Sequence, residues 1–201
     1  IIRINNMFFK KAFIVPALLS IVLLSGCAAV AVGTATTGAA VVHDRRTTGT
    51  VIDDQTIELK ALGVLYGVDN IRINTHVNAT CYNGILLLTG EAPTESLRND
   101  IANRLRKIPK VRKVHNEILI AAPSSLVSRS SDGLITSKAK VALFSLNKIK
   151  GFDPTRVKIV SENGVVYLLG ILKQHEVTPV IETVRRVGGV QRVVKLFEIT
   201  D

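Results

Sequence analysis

Aromatic residues are scarce in this chain. They make up 4% of its 201 residues, and tryptophan is absent. With so few rings the hydrophobic core has to be aliphatic, and a site built from stacked rings, such as a cage around a flat cofactor, is not expected. The same scarcity argues against single-stranded nucleic acid as a partner, because proteins that bind it stack the bases on exposed aromatic side chains.

The chain also lacks the common catalytic and metal-binding patterns. No GxSxG, P-loop or HExxH sequence is present, and no histidine has Cys, Asp or Glu at metal-ligand spacing. We therefore expect no enzyme, no metal and no cofactor. Asp53 and Asp54 could be paired catalytic carboxylates, but the start of a helix also attracts acidic residues, and we favour that reading. An enzyme would require the fold to place His76 or His115 beside clustered carboxylates; the other histidines are His43 and His175.

Acidic residues are fewer than basic residues, and the excess of basic residues differs between parts of the chain. The chain carries 26 Lys and Arg against 16 Asp and Glu, a net charge of +10. Residues 53–120 are nearly balanced, with 9 basic and 8 acidic residues, whereas residues 131–201 hold 11 basic and 7 acidic residues, net +4. A basic surface favours anionic partners such as phospholipid headgroups, although a solvated surface without a partner is the alternative.

The N-terminus has the features of an export signal. A start-like Met7 and two lysines precede the apolar segment 12–24, which is too short for a spanning helix of about 20 residues. Leu24, Ser25 and Gly26 then precede Cys27, an arrangement that resembles a bacterial lipobox. By that resemblance, residues 1–26 are a signal peptide and Cys27 is the acylated first residue of the mature chain. An ordinary secretory signal that happens to contain a cysteine is the alternative.

Beyond Cys27, one short sequence motif occurs twice. Residues 82–90 read YNGILLLTG and residues 162–170 read ENGVVYLLG. Each copy contains Asn-Gly between strand-like runs, which is the strongest short signal for a β-hairpin. The repeat divides the chain into a flexible tether at 27–52, module one at 53–120, a Pro- and Ser-containing linker at 121–130 and module two at 131–201. Cys81 precedes the first hairpin turn, and we expect it to be a small, half-buried side chain without a disulfide partner.

Both modules follow the order helix, strand, strand, helix, strand. The predicted segments of module one are a helix from Ile57 to about Tyr66, strands at 71–80 and 85–89, a helix N-capped by Thr94 and a strand at 111–120. Those of module two are a helix from Asp132 through Leu146, strands at 156–161 and 165–169, a helix with Pro179 in its first turn, and a strand at 190–199. The predicted fold class is α+β, in which each αββαβ module has a three-stranded mixed sheet with two helices on one face.

This element order, the Asn-Gly hairpin and the Gly188-Gly189-Val190 sequence before the last strand resemble the BON domain. With Cys27 and the segment 44–58 in front, the chain resembles the dual BON-domain outer-membrane lipoprotein family (DolP/YraP-like). The resemblance implies a lipid-anchored protein in the outer membrane that faces the periplasm, with links to phospholipid binding and to outer-membrane assembly. One departure is Ile108-Pro109-Lys110-Val111, where module two has the more usual Gly-Gly-Val, and it affects only the local turn.

The first helix of module two carries two apolar stripes on a helical wheel. Ile135, Ala139 and Leu143 belong to a wide stripe that we assign to the core. A second, narrower stripe points away from the core and comprises Leu134, Lys138, Val141, Ser145 and Lys148. Apolar tips between lysines suit a lipid interface, because a lysine can lay its stem on acyl chains and lift its ammonium to phosphate. The alternative is that Leu134 and Val141 pack against module one.

The function that we predict is binding of anionic phospholipid, either phosphatidylglycerol or cardiolipin, through module two, in support of outer-membrane integrity. The alternative is a periplasmic adaptor that docks onto an outer-membrane protein-assembly or division-site complex. No nucleic-acid partner is expected, because a periplasmic location would remove it.

Overall fold

A computed structural model describes residues 44–123 and 126–201, without the side chains of residues 126–128. The elements of module one are α1 (Thr48–Gly67), α2 (Asp69–Asn74), β1 (His76–Tyr82), β2 (Ile85–Ala92), α3 (Glu95–Arg106), β3 (Lys113–Asn116) and β4 (Leu119–Ile120). Those of module two are α4 (Leu126–Leu143), two 3-10 helices (Phe144–Lys148 and Pro154–Arg156), β5 (Val157–Glu162), β6 (Val165–Lys173), α5 (Gln174–Arg185) and β7 (Arg192–Thr200). The predicted signal peptide and Cys27 lie outside the described residues.

Both modules contain the predicted mixed sheet. In module one β1 and β2 are antiparallel while β3 runs parallel to β2, and the short β4 extends the same edge of β2. In module two the order is β5-β6-β7 with the same directions. The helices of each module pack on one face of its sheet, and their apolar side chains form one core with that face. The predicted α+β class is thereby confirmed.

The repeated motif forms the two hairpins. Asn83 and Gly84 have φ values of 52° and 72°, and Asn163 and Gly164 have values of 50° and 74°, as a primed two-residue turn requires. Gly90, at the end of the first copy of the motif, cannot carry a side chain, since a Cβ there would lie 1.9 Å from the backbone oxygen of His76. The repeated motif therefore has a structural role: it forms the hairpin of each module.

Each hairpin turn is held by a buried aspartate from the first helix of its own module. Asp54 accepts hydrogen bonds from the backbone N–H groups of Asn83 and Gly84, at 2.6 and 2.8 Å. Asp132 accepts the equivalent pair from Asn163 and Gly164, both at 2.9 Å. The prediction that these aspartates stand at helix N-termini is wrong: α1 begins at Thr48 behind the cap Thr47, and α4 begins at Leu126. Turn N–H groups need acceptors, and a carboxylate from within the helix supplies them.

Other predicted boundaries also shift. Residues 71–74, the start of the strand predicted at 71–80, belong to α2 instead, and Ile71 is buried in the core of module one as part of this helical turn. The last strand of module one is broken into β3 and β4, and Ile120 is exposed. The helices α1 and α4 begin inside the segments predicted as tether and linker. Pro179 lies in the interior of α5, because that helix already begins at Gln174.

A third core joins the two modules. Leu87 and Tyr82 project from the sheet of module one on the side opposite its helices, and Leu169, Tyr167 and Leu196 do the same in module two. All five side chains are buried and form one cluster. The two sheets therefore pack against each other through these faces.

The segment that precedes α1 ties the modules together at their edge. Arg45 donates to both carboxylate oxygens of Glu176 in α5, at 2.6 and 2.8 Å, and to the carbonyl of Ile171, at 2.8 Å. Arg46 pairs with Asp54 at 2.7 Å and lies 3.8 Å from the ring centroid of Tyr82. The segment thus contacts module two through Arg45 and module one through Arg46.

Candidate membrane-contact surface

The helix α4 has one buried face and one exposed face. Ile135, Ala139 and Leu143 enter the core of module two. Leu134 and Val141 point outward, with 62% and 72% of their surface exposed. Packing of these two residues against module one would bury them, so the alternative that we raised for them is wrong: the modules meet through their sheets.

The exposed apolar residues continue into a line along α4. Lys138 is exposed and lies between Leu134 and Val141 at helical spacings of four and three residues, which places the three side chains on one face. Phe144, three residues beyond Val141, is 58% exposed. The α4 surface is defined by Leu134, Lys138 and Val141 on α4 and by Phe144, the first residue of the 3-10 helix that follows, and it spans about 15 Å at the rise of a helix.

Sequence reasoning missed Phe144. On the wheel it falls outside the core stripe and also outside the narrow second stripe, and an exposed phenylalanine is not expected in a chain with few aromatic residues. The sequence did contain a signal for Phe144, because it is an apolar residue that falls outside the core stripe of the wheel.

Ser145 and Lys148 lie beyond the end of α4. The α-helix ends at Leu143, and residues 144–148 continue as a 3-10 helix, so the angular step of an α-helix no longer applies. Both side chains are exposed. The Ser145 hydroxyl donates to the carbonyl of Ala142 at 2.7 Å, a local bond that competes with the helical pattern.

The charge beside this surface is positive throughout. Between Asp132 and Asp153 the sequence contains no acidic residue, and its basic residues are Lys138, Lys140, Lys148 and Lys150. Within the part of the chain that the structure describes, none of these lysines forms an ion pair with a carboxylate. Their ammonium groups are therefore available to an external anion.

A cavity of about 420 Å³ opens next to the end of α4. Phe144 and Lys140 line it from α4 and the following turn, Val157 and Ile159 from β5, and Tyr82 from module one. Two further cations reach its wall, but Arg46 is paired with Asp44 and Asp54, and Lys158 is paired with Glu58 at 2.7 Å. Lys140 is thus the lining cation without a carboxylate partner among the described residues.

The comparisons with known proteins agree with this two-module architecture. The family model described as the BON domain matches residues 53–122 and again residues 131–201. The chain belongs to the BON-domain family.

Two relatives match most of the chain. One is the outer membrane lipoprotein DolP of Haemophilus influenzae, 33% identical over 180 residues, which cover 90% of this chain and 92% of the relative. The other is a 21 kDa hemolysin of Actinobacillus pleuropneumoniae, 31% identical over 154 residues, with coverages of 77% and 78%. The family relation places this BON-domain chain among outer-membrane lipoproteins.

A solved structure gives a weaker likeness. The C-terminal domain of CdsD, a structural protein of the type III secretion system of Chlamydia trachomatis, aligns with 74% of this chain and 67% of its own. Its TM-score is 0.29 and its identity 13%, so it supports no conclusion about this BON protein. Among the helices in residues 44–123 and 126–201, none has the length and apolar character needed to cross a membrane.

Most of the cysteine, aspartate and histidine residues that the sequence singled out have neighbours in the fold that explain their position. The Cys81 thiol is fully buried and donates to Asp54 at 3.2 Å, and burial raises its pKa, which keeps it protonated. Asp53 pairs with Lys110 at 2.6 Å, so Asp53 and Asp54 point to different partners. Burial, with a contribution from Lys113, lowers the pKa of His115. His76 lies beside Glu91 and Glu162, which are far from it in sequence. The placement that an enzyme would require is therefore present for His76, but it is not found for His115 among the described residues.

Proposed function

We propose that this BON-domain lipoprotein is non-enzymatic and binds anionic phospholipid, such as phosphatidylglycerol or cardiolipin, through the α4 surface of module two. The observation that carries the proposal is the exposed apolar line of Leu134, Val141 and Phe144 beside lysines without carboxylate partners. Binding of this kind would support the integrity of the outer membrane.

The energetics fit a weak, reversible contact. Full burial of a leucine or phenylalanine side chain contributes about 1.5 to 3 kcal/mol, and each lysine near an anionic surface adds about 1 kcal/mol. Partial insertion of three apolar tips with two or three lysines therefore supports only modest affinity for the isolated surface. An acyl anchor on Cys27 would hold the surface at high effective concentration next to the bilayer, so that modest affinity suffices.

Co-sedimentation of residues 44–201 with vesicles tests the proposal. We expect binding to vesicles that contain phosphatidylglycerol and much less to vesicles of neutral phosphatidylcholine. Leu134→Glu removes an apolar tip and adds a repelled charge, so we expect its affinity to fall at least tenfold.

Leu59→Glu provides the matched control. Leu59 is an exposed leucine on the first helix of module one, as Leu134 is on the first helix of module two. The proposal expects Leu59→Glu to leave vesicle binding unchanged. Equal binding to neutral and anionic vesicles, or equal losses in the two variants, would contradict it.

One observation favours a second function, that of an adaptor for an envelope protein complex. The helix α1 exposes Ile52, Leu59 and Tyr66, which recur every seven residues on the near-neutral module one. Such a row is suited to a partner helix or groove. For an adaptor, Leu59→Glu would abolish outer-membrane function in cells while Leu134→Glu would be silent, the reverse of the lipid-binding expectation.

A further inference from the structure

Two buried glutamates face each other where the two modules meet. Glu91, near the end of β2 in module one, is 2% exposed, and Glu162, at the end of β5 in module two, is 7% exposed. His76 stands directly opposite Glu91 in the β1–β2 register, and its Nδ1 is 3.3 Å from Glu91 Oε2. One donor atom from each of the three side chains lies within 4.8 Å of the other two.

Amide side chains orient both carboxylates. Asn163 Nδ2, from the hairpin turn of module two, donates to Glu91 Oε1 at 2.6 Å. Asn78 Nδ2, from β1 of module one, donates to Glu162 Oε2 at 3.2 Å. Each amide therefore comes from the module opposite to its carboxylate, and both act as the outer hydrogen-bond partners that commonly orient the ligands of a metal ion.

The cluster concentrates negative charge in a buried place. Glu91 and Glu162 are both buried, and an oxygen of each carboxylate lies within 4.8 Å of the other. Among the described residues, no lysine or arginine forms an ion pair with Glu162. Buried like charges are costly, and a cation between them would relieve that cost.

We propose that His76, Glu91 and Glu162 form a binding site for a divalent first-row transition metal ion. One imidazole nitrogen and two carboxylate oxygens are a donor set that Zn²⁺ and its neighbours accept, at ligand distances of about 2.0 to 2.2 Å. Two ligand atoms at those distances from one tetrahedral ion lie roughly 3.3 to 3.6 Å apart, so donor atoms that are now up to 4.8 Å apart would have to approach one another on binding. The His76 side chain is 21% exposed, which gives the ion a path from solvent.

The ion would act as a clamp. Two ligands belong to module one and the third to module two, so a bound ion would add a link between the modules next to their shared core. This role is independent of lipid binding, because the α4 surface contributes none of the three ligands.

Thermal unfolding and calorimetric titration of the full-length chain in detergent, with zinc as the probe, test the proposal. We expect one zinc ion per chain and a rise in Tm of about 5 to 10 °C at a hundredfold excess over Kd, reversed by EDTA. His76→Ala and the near-isosteric Glu162→Gln should abolish both the rise and the one-to-one heat of binding. His175→Ala, which removes an exposed histidine elsewhere in module two, should retain them.

Three outcomes would overturn the proposal. The first is the absence of a saturable rise in Tm, and the second is an equal rise in Glu162→Gln and in the unsubstituted chain. The third is that zinc leaves the Tm unchanged while the substitution Glu162→Gln by itself raises the Tm. That result would mean that the two glutamates share a proton and hold no metal ion.

Discussion

Replacing Arg45 with alanine is expected to lower the free energy of unfolding of residues 44–201 by about 3 to 5 kcal/mol. The Glu176 carboxylate has no solvent exposure, and Arg45 is the cation that pairs with it, through two hydrogen bonds. Removal of one partner of a buried pair leaves an uncompensated charge, which costs far more than loss of a surface salt bridge. Urea denaturation monitored by circular dichroism measures the change.

The double variant Arg45→Ala with Glu176→Gln is the control, because it also removes the stranded charge. It should recover part of the loss, and the absence of any recovery would show that the carboxylate does not need Arg45. A pH series gives a second check. Burial raises the pKa of Glu176, but the hydrogen bonds from Arg45 and from the backbone N–H of Lys173, together with the nearby positive charges, outweigh burial and hold that pKa below its usual 4.5. The ion pair therefore stabilises above that pH, and the gap between the two chains should shrink as pH falls through the lowered pKa.

Replacing Leu169 with alanine is expected to cost about 2 to 5 kcal/mol of the free energy of unfolding. Leu169 is fully buried in the core between the two sheets, where Leu87 and Tyr82 of module one pack with it. Its truncation leaves a cavity that neither sheet can readily fill. Ile199→Ala, at an exposed position of β7, should cost less than about 1 kcal/mol and serves as the control.

Hydrogen exchange can distinguish one core shared by the two modules from two independent cores. Since Leu169 contacts both modules, its truncation should reduce amide protection in β2 of module one as well as in β6 of module two. Loss of protection confined to module two would contradict the account of a core shared by the sheets.

Local signals predicted the repeated αββαβ order, because each Asn-Gly turn and each apolar period depends on neighbours in sequence. The same signals failed where long-range contacts decide. Asp54 and Asp132 look like helix caps in sequence, but they are recruited to hairpin turns about thirty residues away. The strand predicted at 71–80 lost its first residues to α2, since burial of Ile71 outweighed a short alternating pattern.

The candidate lipid surface was predictable only as far as α-helical geometry continues. Leu134, Lys138 and Val141 are exposed on α4, whereas the α-helix predicted through Leu146 changes to a 3-10 helix after Leu143, where the exposed Phe144 was missed. The group of His76, Glu91 and Glu162 could not be predicted at all. Its members come from three strands in two modules, so no spacing in the sequence connects them.

An NMR titration of residues 44–201 with micelles containing phosphatidylglycerol tests most directly whether the α4 surface contacts anionic lipid. We expect the largest shifts of the backbone amide signals to fall on residues 134–144, to saturate with lipid and to be much smaller with neutral micelles. Shifts centred on α1, or shifts of equal size with neutral and anionic micelles, would contradict it.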